Sequence, residues 1–306
     1  MSYSNKEILE RAREELKKSE DCVFEGVRYS TLGLVPDTPR MFHKIKHVEL
    51  GDSDVILNGY PRSGNHWTFE VIGAILNQDI GNEKDDFLFR LMDFMGDDVE
   101  SRIHGLPAPR LINSHPWASR LPEIIRQGNV KIVYILRNPK DALASWYRLL
   151  KDFISPYGFE GTWEECFELS LTGEIPFGSW FDHVLEMEKF MKEYPDSPVH
   201  VVLYEKMKED PVSEIKKLCD FLDRPNVDVE ELALATSFAQ MKKKREPIYK
   251  QSEKALGREG CHGVMVKGVI GGWREWFTVD QSERYDKAFE EKMKGSKLAD
   301  MVREYI

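Results

Sequence analysis

The sequence predicts an α/β fold, a central parallel sheet flanked by helices, in a single domain over residues 1–306. Three observations point there. Short, β-branched, apolar runs recur at DVILNGY (54–60), RLINSH (110–115), KIVYILR (131–137) and PVHVVLY (198–204). Their nearly continuous apolarity suits strands buried on both faces, as parallel sheets require. Helical periods lie between them, and no repeat, low-complexity tract or Pro/Gly/Ser-rich linker divides the chain.

Taken in order, the opening segment MSYSNKEILERAREELKK is charged and helical in pattern. It lacks the apolar centre of a secretory signal, so a cytoplasmic protein is expected. The strand at 54–60 runs into Tyr60-Pro61-Arg62-Ser63-Gly64-Asn65-His66-Trp67, where helical spacing begins at once through Trp67, Val71, Ile72, Ile75 and Leu76. The next two strands end at His115 and at Arg137. Further on, Trp180, Val184, Met187 and Met191 fall at i, i+4, i+7 and i+11, with Asp182, Glu186 and Lys189 on other faces. That stripe is core packing. In such a fold, ligands bind outside the carboxyl ends of the strands.

Composition bounds the function. A chain of 306 residues buries roughly 75% of its unfolded surface, enough for a core without staples. No apolar run reaches the roughly 18 residues of a membrane span. Cys22, Cys166, Cys219 and Cys261 are scattered without a CxxC pair, so reduced thiols and no metal site are expected. The net charge of -10 argues against a broad nucleic-acid footprint and leaves room for a local cationic pocket.

The junction at 58–67 is where chemistry first shows. A strand, a tight loop and a helix N-terminus aim main-chain N–H groups and the positive end of the helix dipole at one point, where a phosphate or sulfate is held. Arg62 offers a forked donor to a tetrahedral oxyanion, and Gly64 lets the backbone come close. The same residues would serve a left-handed turn carrying a surface arginine. A Walker A loop is excluded, because GxxxxGK[ST] is absent.

YPRSGNHW after a buried strand, Ser114-His115, and LRNPKDALASWY at 136–147 resemble, in this order, the defining segments of the cytosolic sulfotransferases. Gly161-Thr162-Trp163, Gly178-Ser179-Trp180 with His183-Val184, Tyr204-Glu205 followed by Met207-Lys208-Glu209-Asp210-Pro211, Thr236-Ser237-Phe238, and Lys267-Gly268 with Gly271, Trp273, Phe277 and Thr278 continue the likeness over about residues 30–295. The resemblance implies a sulfotransferase-like domain with a phosphosulfate-binding strand-loop-helix. It also implies transfer of a sulfuryl group from 3'-phosphoadenosine 5'-phosphosulfate (PAPS) to a hydroxyl or amine of a small molecule, without a metal.

Carried over by position, the resemblance places the phosphosulfate loop on Arg62, Ser63, Gly64, Asn65, His66 and Trp67, with Trp67 stacking on adenine. His115 falls at the catalytic base, whose chemistry asks for a group that titrates near neutrality. Arg62 would stabilise the charge that develops during transfer. The 3'-phosphate site maps onto Arg137 and Ser145, together with Lys267 and Gly268, and the adenine side onto Tyr204, Thr236 and Phe238. An Arg137–Asp141 ion pair is the structural alternative for that arginine. Phe89, Met92, Phe94, Phe153, Tyr157 and Phe159 lie in segments that line the family's acceptor pocket, which suggests an apolar or aromatic acceptor.

Several positions depart from the family pattern, among them Gly272, which replaces an acidic residue common in the last motif. Arg62 replaces a lysine with Asn65-His66 for two threonines, Asn113 replaces a lysine two residues before His115, and Val266 replaces an arginine ahead of Lys267. A catalytically weak relative that binds nucleotide or a hydrophobic ligand is therefore the alternative to a working enzyme. Arg274, Thr278, Val279 and Glu283 resemble the family's short dimer segment and imply a homodimer; a helix N-cap at Thr278 is the other reading.

Overall fold

A computed structural model describes residues 3–18, 22–29, 35, 37–76, 90–151, 159–255 and 268–306. The chain opens with helix α1 (Asn5–Leu16), the hairpin β1 (Cys22–Phe24) and β2 (Val27–Tyr29), and α2 (Thr38–Lys46). The central elements follow: β3 (Val55–Asn58), α3 (Asn65–Ile75), α4 (Val99–His104), β4 (Leu111–Ser114), β5 (Lys131–Leu136), α5 (Pro139–Leu149), α6 (Trp163–Thr172), α7 (Trp180–Glu193) and β6 (Val199–Leu203). Helices close the chain: α8 (Tyr204–Glu209), α9 (Pro211–Phe221), α10 (Val229–Ala235), α11 (Phe238–Ala255), α12 (Val279–Lys292) and α13 (Lys297–Val302).

The four-stranded sheet has the order β4-β3-β5-β6, with every neighbouring pair parallel. Its strands separate two cores by simple alternation. Ile56, Ile112, Ile132, Tyr134 and Leu136 point into one core with α5, α6 and α7. Val55, Leu57, Leu111, Val133 and Ile135 point into the other with α3 and α9. That explains the continuous apolarity of β3, β4 and β5, which leave almost no face to water, whereas Val199, His200 and Val201 of β6 are only partly buried.

The expected strands form, each shorter than its run: β4 covers 111–114 of 110–115, β5 131–136 of 131–137 and β6 199–203 of 198–204. The run 54–60 is strand only over Val55–Asn58. Asp54 caps the strand start instead, its carboxylate accepting from the Gly51 and Arg110 main-chain N–H groups and pairing with the Arg110 guanidinium at 2.8 Å. At the other end Gly59 and Tyr60 already belong to the turn.

Because β3 feeds β4 on one side while β5 lies on the other, the chain reverses its direction of travel across the sheet at β3/β5. This is the topological switch point where open α/β sheets bind ligands. The residues next after the four strand ends are Gly59, His115, Arg137 and Tyr204. Among the described residues, no helix is long and apolar enough to cross a membrane, and no group of three His, Cys, Asp or Glu residues could hold a metal ion.

Candidate active site

The turn after β3 is closed by Ser63 N–H donating to the Tyr60 carbonyl at 3.1 Å. Arg62 takes a left-handed conformation (φ 70°), unusual for a residue with a side chain. Gly64 follows at φ 110° as the N-cap of α3, and no side chain caps the helix. A Cβ on Gly64 would lie 2.6 Å from Tyr204 Cδ2, so only glycine lets the loop close against that ring. The first N–H groups of α3 therefore lack a capping partner from their own chain segment, which is the electrostatic basis of anion binding at a helix start. Ser63 Oγ, Asn65 Oδ1 and Thr68 Oγ1 are buried here with no hydrogen-bond partner among the described residues. A buried polar atom costs free energy until something pairs with it, so these three atoms could each accept or donate a further hydrogen bond.

Two arginines tie the loop down. Arg137, at the end of β5, donates from Nη1 to the Arg62 carbonyl at 2.8 Å and from Nη2 to the Val269 carbonyl at 3.3 Å. Its guanidinium lies over the Tyr204 ring, 4.2 Å from the centre. The Arg62 side chain donates from Nε to Ser145 Oγ at 3.0 Å. Ser145 therefore sits against Arg62, where the sequence reading placed it beside Arg137. All three residues form one cationic cluster nonetheless. Asp141, the alternative partner for Arg137, accepts instead from the main-chain N–H groups of Gly271 and Trp273, at 2.7 and 2.8 Å.

The aromatic residues converge on the same end. Trp67 donates its indole N–H to the Thr236 carbonyl at 2.8 Å and meets Tyr204 edge-on, with ring centres 5.9 Å apart. Phe238 closes against Gly268, where a Cβ would come within 2.7 Å of its ring. Lys208 Nζ lies between the two faces, 5.8 Å from the Trp67 ring and 5.2 Å from Phe238. Burial and the neighbouring Arg137 both push the Lys208 amine below its ordinary value. Sequence reasoning did not single out Lys208 as a site residue.

His115 is buried just beyond β4. Its Nδ1 is 3.0 Å from the Gly59 carbonyl, and a carbonyl only accepts, so Nδ1 carries the proton and Nε2 the lone pair. Burial, with the Arg62 charge adding to it, lowers the imidazole to about 4, against the opposing pull of the Gly59 hydrogen bond. The ring is a neutral base at physiological pH. Its main chain is held on both sides: the N–H donates to Asp93 Oδ1 at 3.1 Å and the carbonyl meets His183 Nε2 at 3.0 Å. Burial raises the Asp93 carboxyl to about 7, partly offset by the main-chain N–H groups of Asp93 and His115. Neither Asp93 nor His183 was a predicted site residue.

Of the other candidates, His66 is half-buried in the first turn of α3. Met92 and Phe159 are fully buried and Phe94 partly so. Asn113 is fully buried, and neither its Oδ1 nor its Nδ2 has a hydrogen-bond partner among the described residues. Phe89, Phe153, Tyr157, Cys261, Val266 and Lys267 lie outside the described residues.

The chain is similar to known proteins. A family model described as a sulfotransferase domain matches residues 52–297. Mouse sulfotransferase 1B1 is 32% identical over 269 residues, covering 84% of this chain and 88% of its own length. Zebrafish sulfotransferase 6B1 is 31% identical over 288 residues, covering 92% of each. Among solved structures, mouse sulfotransferase SULT7A1 complexed with PAP is similar with a TM-score of 0.73 at 31% identity, over 93% of this chain and 99% of that one. The chain belongs to the sulfotransferase family. By class it is a PAPS-dependent sulfotransferase.

Proposed function

We propose that this protein transfers the sulfuryl group of PAPS to a hydroxyl or amine of a small apolar or aromatic acceptor, with His115 as general base. One observation carries the assignment of the base. The Gly59 carbonyl occupies Nδ1 of His115, leaving the Nε2 lone pair of a neutral ring as proton acceptor at the strand ends.

The partnerless Ser63, Asn65 and Thr68 atoms and the Gly64 turn fit the sulfated 5' end of the donor, beside Arg62. Arg137 keeps a buried Nε without a partner among the described residues, which fits it to the 3'-phosphate with Ser145, Lys267 and Gly268. Trp67, Tyr204, Thr236 and Phe238 would hold the adenine, supported by the contacts that gather them at one end. When bound, PAPS supplies the sulfuryl group and departs as adenosine 3',5'-bisphosphate. His115 Nε2 takes the acceptor proton. Arg62 and the main-chain N–H groups at the start of α3 stabilise negative charge growing on the leaving side, as preorganised dipoles that need no rearrangement. Asn113 brings no charge, so Arg62 is the cation assigned to that end.

We further propose one catalytic domain, a cytoplasmic location and a homodimer through Arg274, Thr278, Val279 and Glu283. Val279 supports the last, being an apolar side chain 76% exposed. Thr278 also caps α12 with Gln281, which accounts for its hydroxyl without excluding the dimer.

Incubation with sulfur-35-labelled PAPS and a panel of phenols, aliphatic alcohols and arylamines tests the activity. Label should pass to at least one acceptor in step with formation of adenosine 3',5'-bisphosphate. Tight binding of the nucleotide with no transfer to any member would favour the binding-only alternative.

A further inference from the structure

A buried histidine lies behind the base. His183, on α7, is fully buried within the core that also holds Tyr60 and Tyr134. Its Nε2 is 3.0 Å from the His115 carbonyl and its Nδ1 is 2.9 Å from the Tyr134 hydroxyl on β5. A carbonyl only accepts, so Nε2 carries the hydrogen. With the ring neutral, Nδ1 is then an acceptor, and the Tyr134 hydroxyl must be the donor.

The ring has no freedom to satisfy these contacts any other way. It stacks on Tyr134 with 16° between the planes and is met edge-on by Tyr60, both at 5.7 Å between ring centres. Tyr60 is itself fixed, its hydroxyl donating to the Gly178 carbonyl at 3.0 Å. Burial drives the His183 imidazole down to about 3, with the nearby His115 ring adding to the fall, so the neutral form persists through the physiological range.

Asp93 holds the His115 N–H, His183 its carbonyl and Gly59 its ring. The His183 tether reaches it from a helix packed across the core, on side chains from two separate elements. Such support matters because proton transfer depends steeply on placement. A misplacement of about 1 Å can cost on the order of a hundredfold in rate.

We propose that His183 is a positioning residue for the base: its Nε2–H holds the His115 main-chain carbonyl, and the Tyr134 hydroxyl selects the tautomer that makes this donation possible. The inference rests on His115 being the base. It predicts that removing one fully buried hydroxyl slows the chemical step while binding is unaffected.

The test uses Tyr134→Phe, which keeps the stacked ring and deletes the proton that fixes the tautomer. Turnover should fall about tenfold, within the range expected for loosened positioning. The acceptor KM and the affinity for adenosine 3',5'-bisphosphate should stay within about twofold. His183→Gln, which keeps an amide N–H able to reach the carbonyl, should hold more of the turnover than His183→Leu, with thermal unfolding showing which variants are folded. Introducing Tyr134→Phe into His115→Ala should produce no further loss, because a residue that acts through the base has nothing left to position. An undiminished turnover in Tyr134→Phe overturns the proposal, and so does a tenfold loss repeated in the His115→Ala background. Wild-type turnover in His115→Ala alone would count instead against the assignment of the base.

Discussion

Replacing Gly64 with alanine places a Cβ where the fold has no room, and the size of the effect follows from two contributions. At φ 110° the residue lies in backbone space that L side chains rarely adopt. Holding an L-residue in left-handed space costs roughly 1–2 kcal/mol. The added Cβ would also meet Tyr204 Cδ2 at 2.6 Å and Cε2 at 3.2 Å, so the Tyr204 ring must move. That ring lies under Arg137 and against Trp67, and it cannot move without disturbing both contacts. Overpacking of this kind costs roughly 1–3 kcal/mol. Gly64→Ala should therefore lose about 2–5 kcal/mol of stability in urea unfolding, if the two contributions add. Calorimetry should show adenosine 3',5'-bisphosphate bound at least tenfold more weakly, since the loop, Arg137 and Trp67 shift together. The companion Tyr204→Leu, Gly64→Ala should recover part of the overpacking cost and none of the backbone cost. Full stability with wild-type nucleotide affinity in Gly64→Ala would refute the close packing of this loop against Tyr204.

Two further predictions test other parts of the molecule. Asp93 has its carboxyl raised from 3.8 to about 7, so the folded state keeps a proton that the unfolded chain has already released. The stability this contributes is complete below about 3.8 and lost as pH rises through about 7. Asp93→Asn, which preserves an acceptor for the His115 N–H, should show a stability gain over wild type that opens between those values and levels off above them. A gain independent of pH would mean the carboxyl is not buried as described. Val279→Glu should convert a dimer into a monomer in light scattering, because it places a charge on the exposed apolar residue of the proposed patch; a monomeric wild type removes that interface altogether.

Much of the sheet could be read from the chain because β3, β4 and all of β5 but Lys131 are buried on both faces, while in β6 only Val202 and Leu203 are fully buried. The hairpin Cys22–Phe24 and Val27–Tyr29 could not, since strands of three residues are too short to show alternation. Helix α3 begins at Asn65, two residues ahead of the apolar spacing that starts at Trp67, because Gly64 and not an apolar residue sets its N-terminus. The motif residues 62–67, 115, 137 and 145 were visible as sequence, and the fold gathers the described ones near the switch point. Their partners were less accessible. Asp141 joins Gly271 and Trp273 across about 130 positions, which no local pattern encodes. His183 did leave a trace: it stands three residues after Trp180 and four before Met187, a polar residue on an otherwise apolar stripe. Asp93 left none, since its role arises only when the segment around Met92 is laid beside β4.

The central claim is that His115 is the base of a sulfuryl transfer whose nucleotide site does not depend on it. Single-turnover reaction of PAPS with an accepted substrate, measured for wild type and His115→Ala beside calorimetric binding of adenosine 3',5'-bisphosphate, addresses both halves together. The product-forming rate should fall by about a hundredfold or more in His115→Ala, with nucleotide affinity within about twofold of wild type. A variant that forms product at the wild-type rate, or that fails to bind the nucleotide while remaining folded, would contradict it.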